Sequence, residues 1–415
     1  MRKEGLRCGA ALLALLGLLC ACAAEPAQSS AASTSQQTVA EVPTVPSTVE
    51  ELLQQMTLRQ KVGQLFMVCP DALDLSLTQE EIDDDKADGV QSMTEEMCHA
   101  LEAYPVGGIC QFGKNIEAPQ QILAFNEALQ AASAIPLLIS VDEEGGSVAR
   151  LANNPAFALP QYESAFAVGA SGNAAAALQM GQTIGGYLKR YGFNMDFAPV
   201  ADVWTNPENA VIGKRAFSRD AGTAAQMARA MAQGLQSEGI LPTFKHFPGH
   251  GDTAEDSHSG LAHTEKAKVE MLSCEFLPFV QGKDESQTGP RAVMVGHIAA
   301  PALGTGEAPA SLSHSVVTEL LREELLAGED VLVITDSLAM GAVTEQYSPG
   351  EAAIEAFLAG NDLLLMPAGL EEAFDAVLGA VQEGRIPEEC LDESVARILR
   401  FKEQYAGLMV AADDR

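Results

Sequence analysis

The amino-acid sequence predicts an α/β protein, a single (β/α)8 barrel of the TIM type. Three observations carry that prediction. Short, continuously apolar runs recur eight times along the chain. Ala-rich or Leu-rich helical stretches separate most of them. No GxGxxG follows the first run, as a doubly wound nucleotide-binding sheet would have it. Strands that are apolar on both faces, alternating with helices, imply a parallel sheet covered on both sides. Eight such units over roughly 300 residues suit closure into a barrel.

The runs fall at 64–69, 107–112, 137–142, 193–202, 242–247, 292–298, 331–336 and 361–366. Helical stretches lie between them, for example at 118–133, 172–190 and 221–238. The folded part is expected to begin near Thr48. There the stretch VEELLQQMTLRQKVGQLF has helical spacing, with Leu52, Leu53, Met56 and Val62 on one face. Residues 70–100 read as an acidic insertion on a loop, a solvated excursion. A last helix at 388–405 is followed by ten residues. That leaves no room for a second α/β domain of ordinary size.

The first residues read as a targeting segment. Arg2, Lys3 and Arg7 precede a short apolar run at 9–21, too short to span a bilayer comfortably. Leu19 and Ala21 before Cys22 resemble a bacterial lipoprotein cleavage site. Three segments are therefore expected: a signal peptide at 1–21, a flexible tether at 22–48 with lipidated Cys22, and one domain at 49–415. The tether is rich in Ala, Ser, Gln, Thr and Pro. Localisation would be extracytoplasmic, with membrane attachment through the lipid alone.

The formal charge is −32, from 25 basic and 57 acidic residues. Such a surface repels nucleic acid and anionic lipid. It suits a soluble enzyme with an uncharged or weakly charged substrate; a monomer is expected. Cys69, Cys98, Cys110, Cys274 and Cys390 form no CxxC pair. Their odd number and irregular spacing argue against a disulfide framework or a zinc site, although one bridge such as Cys98–Cys110 stays open.

In a barrel of this kind, polar residues at the C-terminal ends of strands face the active site. The third run ends in Asp142-Glu143-Glu144-Gly145-Gly146. The fourth ends near Asp196 and Asp202, the fifth in Lys245-His246, the sixth in His297 and the seventh in Asp336. Five strands carrying such groups at one end call for a polar ligand. The densest stretch is KHFPGHGDTAEDSH, residues 245–258. Its Pro and Gly force a loop, and its spacing fits no standard zinc site. Asp256 and His258, two apart, could instead hydrogen-bond, which fixes the tautomer and raises the basicity of the ring.

This stretch resembles the signature of glycoside hydrolase family 3. More narrowly, it is similar to that of the bacterial β-N-acetylglucosaminidases (β-N-acetylhexosaminidases) of peptidoglycan turnover, which have one catalytic domain. The likeness extends to Asp142-Glu143-Glu144-Gly145-Gly146 with Arg150, to Phe197 through Asp202, to Val211 through Phe217 and to Thr335 through Met340, in family order. Ser147 departs from it, standing where members often carry Arg. The resemblance implies Asp336 as nucleophile, His258 as general acid and base, and Asp256 as the group orienting His258. It implies that Asp142, Arg150, Arg215, Lys245 and His246 bind a terminal β-linked N-acetylglucosamine, with retention of configuration and without metal or cofactor. Retaining hydrolysis ordinarily pairs two carboxyls; an imidazole near its usual pKa of about 6.5 can replace the proton-transferring one.

Other readings are a β-glucosidase or xylosidase of the same family, a β-N-acetylglucosaminide phosphorylase, and a glycan-binding lipoprotein without activity. The Asp256–His258 pair disfavours the first, and the presence of Asp336 and His258 disfavours the last. A serine hydrolase is excluded by the lack of a G-x-S-x-G elbow.

Overall fold

A computed structural model describes residues 46, 48–84, 86–253, 260–280 and 289–409. The expected signal peptide, Cys22 and almost all of the tether lie outside the described residues, as do Asp256 and His258.

Eight parallel strands form the centre: β1 Phe66–Val68, β2 Gly108–Gln111, β3 Leu138–Val141, β4 Met195–Asp196, β5 Leu241–Phe247, β6 Ala292–Val295, β7 Leu332–Thr335 and β8 Leu364–Leu365. Every residue in them is buried, which is why each reads as a continuous apolar run. One ladder runs β8–β1–β2–β3 and a second β4–β5–β6–β7. Two seams join them. Between β3 and β4, Asn194 N–H donates to Ile139 O at 3.1 Å and Phe197 N–H to Val141 O at 2.9 Å. The Asn194 amide extends this seam, donating to Leu137 O at 2.9 Å and accepting from Ile139 N–H at 2.7 Å. Between β7 and β8, Leu363 N–H donates to Val333 O at 3.1 Å and Thr335 N–H to Leu363 O at 3.0 Å. The ring is thereby closed, and the (β/α)8 barrel is the fold.

Helices wrap the ring in the alternating order the sequence implies. Pro119–Ala132, Ala174–Arg190, Ala221–Ser237 and Pro349–Ala359 follow β2, β3, β4 and β7. Their ends are locally encoded. Asp220 caps the third of these helices by accepting from Thr223 N–H at 2.8 Å, and Ser348 with Glu351 forms a capping box on the fourth. The second and third approach closely: a Cβ on Gly181 would lie 2.1 Å from Met231 O, so only glycine fits. The last helix, Glu388–Tyr405, occupies the expected residues.

Several expectations need correction. The N-terminal helix is two helices, Val49–Gln55 and Leu58–Gln64, because Thr57 and Gln60 form a capping box that starts a new one. The fourth run is regular over two residues only, and then Val200 bridges Lys245. The 70–100 segment is not a bare loop: it holds helices at Gln79–Asp83 and Glu95–Ala103. Its charge run is solvated as expected, but Asp71 at its start is buried. Cys98 and Cys110 are both free thiols, so no bridge joins them.

Candidate active site

The strand ends surround a cavity of about 450 Å³. Asp142, Arg150, Arg215, Lys245, His246 and Asp336 all line it, so six of the eight residues singled out for sugar chemistry meet in one place. The other two, Asp256 and His258, lie outside the described residues.

Alternation along one short strand builds the first wall. Residues Glu143–Gly145 pair antiparallel with Val148–Ala149 across a turn at Gly145 and Gly146, with φ of 82° and 72°, a conformation that favours glycine. Side chains two apart share a face. Asp142 and Glu144 therefore both reach Lys245, whose Nζ lies 2.5 Å from Asp142 Oδ1 and 2.7 Å from Glu144 Oε1. Glu143 points the other way. It accepts from Leu151 N–H and Ala152 N–H, each at 2.8 Å, and from the Tyr187 hydroxyl at 2.8 Å. The turn also carries Arg150 back, to 3.6 Å from Asp142 Oδ2. Arg215 enters from the short turn Gly213–Arg215 and grips Glu144 with both arms of its guanidinium, at 2.8 and 2.7 Å.

These groups set one another's charge. Burial favours neutral carboxyls, yet Arg215 and Lys245 overcome it and hold Glu144 down at about 2. Asp142 is likewise held low against burial, by Lys245 and Arg150. Lys245 is raised: burial opposes its charge, and Asp142 and Glu144 outweigh that. These ion pairs favour the charged forms throughout the wall, and hydrogen bonds from polyhydroxylated ligands to charged partners are about twice as strong as neutral ones.

Asp202 organises the second wall. Its Oδ2 accepts from His246 N–H at 3.1 Å and meets His246 Nδ1 at 2.7 Å, while Oδ1 accepts from His250 N–H at 2.6 Å. Burial would raise this carboxyl, but His246 and His250 keep it low. An ionised carboxylate only accepts, so Nδ1 of His246 carries its proton.

Asp336 follows β7. Its N–H donates to Val295 O at 2.9 Å, and its Oδ1 accepts from Ser337 N–H at 2.8 Å. Burial would raise its pKa, but His246, His297, the Ser337 N–H and Lys245 together depress it. It is an ionised carboxylate in a positive field. His297 holds the following backbone, its Nε2 donating to Ser337 O at 2.8 Å.

Four contributors had no role assigned from sequence: Glu144, Asp202, His250 and His297. The first was legible in principle, since it stands two residues from Asp142 in the same quoted segment. Asp202 and His250 depend on a long-range contact that spacing does not reveal.

A closed barrel with a cavity lined by ionised groups at its C-terminal strand ends defines a (β/α)8-barrel protein that binds a small polar ligand. Residues 57–401 match the glycosyl hydrolase family 3 N-terminal domain, and the chain belongs to that family. It is 32% identical over 335 residues to beta-hexosaminidase A of Pseudoalteromonas piscicida, covering 75% of this chain and 55% of that protein. It is 34% identical over 315 residues to beta-hexosaminidase LpqI of Mycobacterium tuberculosis, covering 72% of this chain and 76% of that one. Among solved structures, a family 3 beta-N-acetylglucosaminidase from Paenibacillus sp. superposes with a TM-score of 0.75 at 37% identity, over 87% of this chain and 64% of that one. The M. tuberculosis LpqI structure gives 0.73 at 30% identity, over 88% of this chain and 100% of that one.

Proposed function

We propose that this protein is a retaining exo-β-N-acetylglucosaminidase. It removes terminal β-linked N-acetylglucosamine from peptidoglycan or chitin-type fragments. The observation that carries the reading is Asp336: a carboxylate kept ionised in the same cavity as the Asp142–Glu144–Lys245–Arg215 lattice. Relatives named as hexosaminidases over most of the chain support the substrate.

In this reading the lattice and Arg150 hold the sugar hydroxyls. Asp336 attacks the anomeric carbon, and the glycosidic bond breaks as the glycosyl–Asp336 ester forms. His258 protonates the departing oxygen, then takes a proton from the water that hydrolyses the ester, so the anomeric configuration is retained. Asp256 orients His258. His246, with Nδ1 committed to Asp202, offers Nε2 to the sugar. In the same reading residues 1–21 are a signal peptide, the enzyme is extracytoplasmic and lipid-anchored at Cys22, and residues 49–415 are its catalytic domain; the resemblance of Leu19-Cys20-Ala21-Cys22 to a lipoprotein cleavage site supports it.

The test uses 4-nitrophenyl β-N-acetylglucosaminide and the matching β-glucoside, each with and without phosphate. Preference for the acetamido sugar, indifferent to phosphate, is the expected result. Glucoside preference or phosphate-dependent turnover would reject it. Asp336→Ala should abolish turnover and leave the circular dichroism spectrum intact. His258→Ala should spare substrates with good leaving groups, and equal losses on good and poor leaving groups would contradict the proton-transfer role.

A further inference from the structure

Asp252 belongs to the densest polar stretch of the sequence, yet none of the chemistry above uses it. Lys266 stands fourteen residues further on, and Asp256 and His258 fall between the two. Lys266 Nζ lies 2.9 Å from Asp252 Oδ1 and 2.6 Å from Glu275 Oε1. Asp252 Oδ1 also accepts from the Thr205 hydroxyl at 3.0 Å. An ion pair near the surface ordinarily contributes little, and the Asp252 and Lys266 side chains are 27% and 26% exposed. This pair is tied inward, because the Glu275 side chain is 1% exposed. Burial lowers the pKa of Lys266, but Glu275 and Asp252 together raise it, so the amine stays charged.

Each partner marks one end of the same stretch, and each end is fixed to a different part of the barrel. The first end, residues 250–253, is bound to the loop after β4. Asn206 N–H donates to Gly251 O at 3.1 Å, and Asn209 Nδ2 donates to His250 O at 2.8 Å and to Thr253 O at 2.9 Å. A Cβ on Gly251 would lie 2.0 Å from Val203 O, so the two backbones are in contact. The same loop begins at Asp202, which holds His246 and His250 in the sugar cavity. The second end leaves along Ala262–His263, which pairs in parallel with Ile298–Ala299 beyond β6. There Thr264 N–H donates to Ala299 O at 2.9 Å. The Asp252–Lys266 pair joins these two ends.

We propose that Asp252 and Lys266 are positioning residues for proton transfer, fixing the two ends between which His258 falls in the chain. The proposal rests on the glycosidase reading, with His258 as its acid. Neither Asp252 nor Lys266 lines the sugar cavity, so their loss should leave binding of the terminal sugar in place. What it disturbs is delivery of the proton to the departing oxygen, where a misplacement of about 1 Å costs roughly a hundredfold. An aglycone that departs as a stable anion needs that proton least.

The experiment measures kcat/KM, which covers the steps up to aglycone release, on two β-N-acetylglucosaminides. The 2,4-dinitrophenyl glycoside has a good leaving group and the 4-methoxyphenyl glycoside a poor one. Lys266→Met should lower the poor substrate by roughly tenfold more than the good one. Asp252→Asn should act in the same direction, and Lys266→Arg, which keeps the cation, should restore most of the loss. The ratio of the two rates is taken within one preparation, so a lowered folded fraction cancels from it. Equal losses on both glycosides would overturn the proposal, since an ion pair that merely supports the fold gives that result. Unchanged rates on both would overturn it as well. Equal losses in His258→Ala, or an unaltered protein inactive on the dinitrophenyl glycoside, would instead reject the reading on which the proposal rests.

Discussion

Lys245 Nζ lies 2.7 Å from Glu144 Oε1, and the two side chains are 3% and 2% exposed. Glu144 also pairs with Arg215, so it balances two buried or half-buried cations at once. Removing one member of a buried pair leaves the other uncompensated, which costs about 3–5 kcal/mol. Glu144→Ala should therefore lower stability by about 3 kcal/mol, read from the midpoint of urea unfolding. Its KM for a sugar substrate should rise as well, because Arg215 and Lys245 lose their shared anchor.

The acid limb of stability should report the same residue. Glu144 has a folded pKa of about 2 against 4.5 for the free group. Between those values the unfolded chain binds the extra proton, so stability rises with pH across the window. It is fully present above pH 4.5 and is lost as pH falls toward 2. Asp196 and Glu143 are raised by burial and act in the opposite direction, so total stability mixes both signs. The difference between the parent and Glu144→Gln isolates the term. The parent should show the steeper slope, by up to about 1.4 kcal/mol per pH unit. Parallel slopes would mean that Glu144 is not held ionised.

Lys402 makes a prediction at the other end of the scale. It is fully buried in the last helix, its Nζ donates to Gln64 Oε1 at 2.5 Å, and burial alone lowers its pKa to about 7. Above pH 7 the unfolded chain keeps a proton that the folded one has shed, so stability should climb from pH 7 toward 9. Beyond that, the Cys69 and Cys110 thiols, pushed up by burial, reverse the trend. In Lys402→Met the climb between pH 7 and 9 should vanish, as followed by chemical denaturation at several pH values.

Thiol chemistry should be graded by position. Cys390 is exposed, whereas Cys69 and Cys110 are buried with raised pKa values, and the thiolate is the reactive form. A chromogenic disulfide reagent should titrate Cys390 first. Cys69 and Cys110 should react only on unfolding, and rapid reaction of either in the native protein would contradict its burial.

Much of this molecule was legible from residues alone, for identifiable reasons. The eight strands are apolar on both faces, so LLISVD at 137–142 and VLVITD at 331–336 could hardly be anything else. Each ends in the carboxylate that lines the cavity. Asp142, Lys245 and Asp336 were therefore findable from strand ends. Other features depended on information that spacing does not hold. The Thr57–Gln60 capping box broke a helix whose apolar periodicity ran straight through it. Asp202 sits at the end of an irregular run, and its partner His246 is 44 residues away. The excursion at 70–100 looked like solvated surface because its charges are exposed. Its attachment through Asp71, Lys114 and Asn115 becomes visible only once β1 and β2 are neighbours.

The pairing of β1 with β8, Phe66 opposite Leu364, has a consequence for how the chain is made. The strand that emerges early from the ribosome waits for its partner until almost 300 residues later. Until then Phe66–Val68 presents an unpaired apolar edge, the kind of surface on which nascent chains aggregate. Such widely separated pairing makes closure a late and slow event. Nascent chains halted before Leu364 should stay protease-sensitive and bind chaperones through that edge.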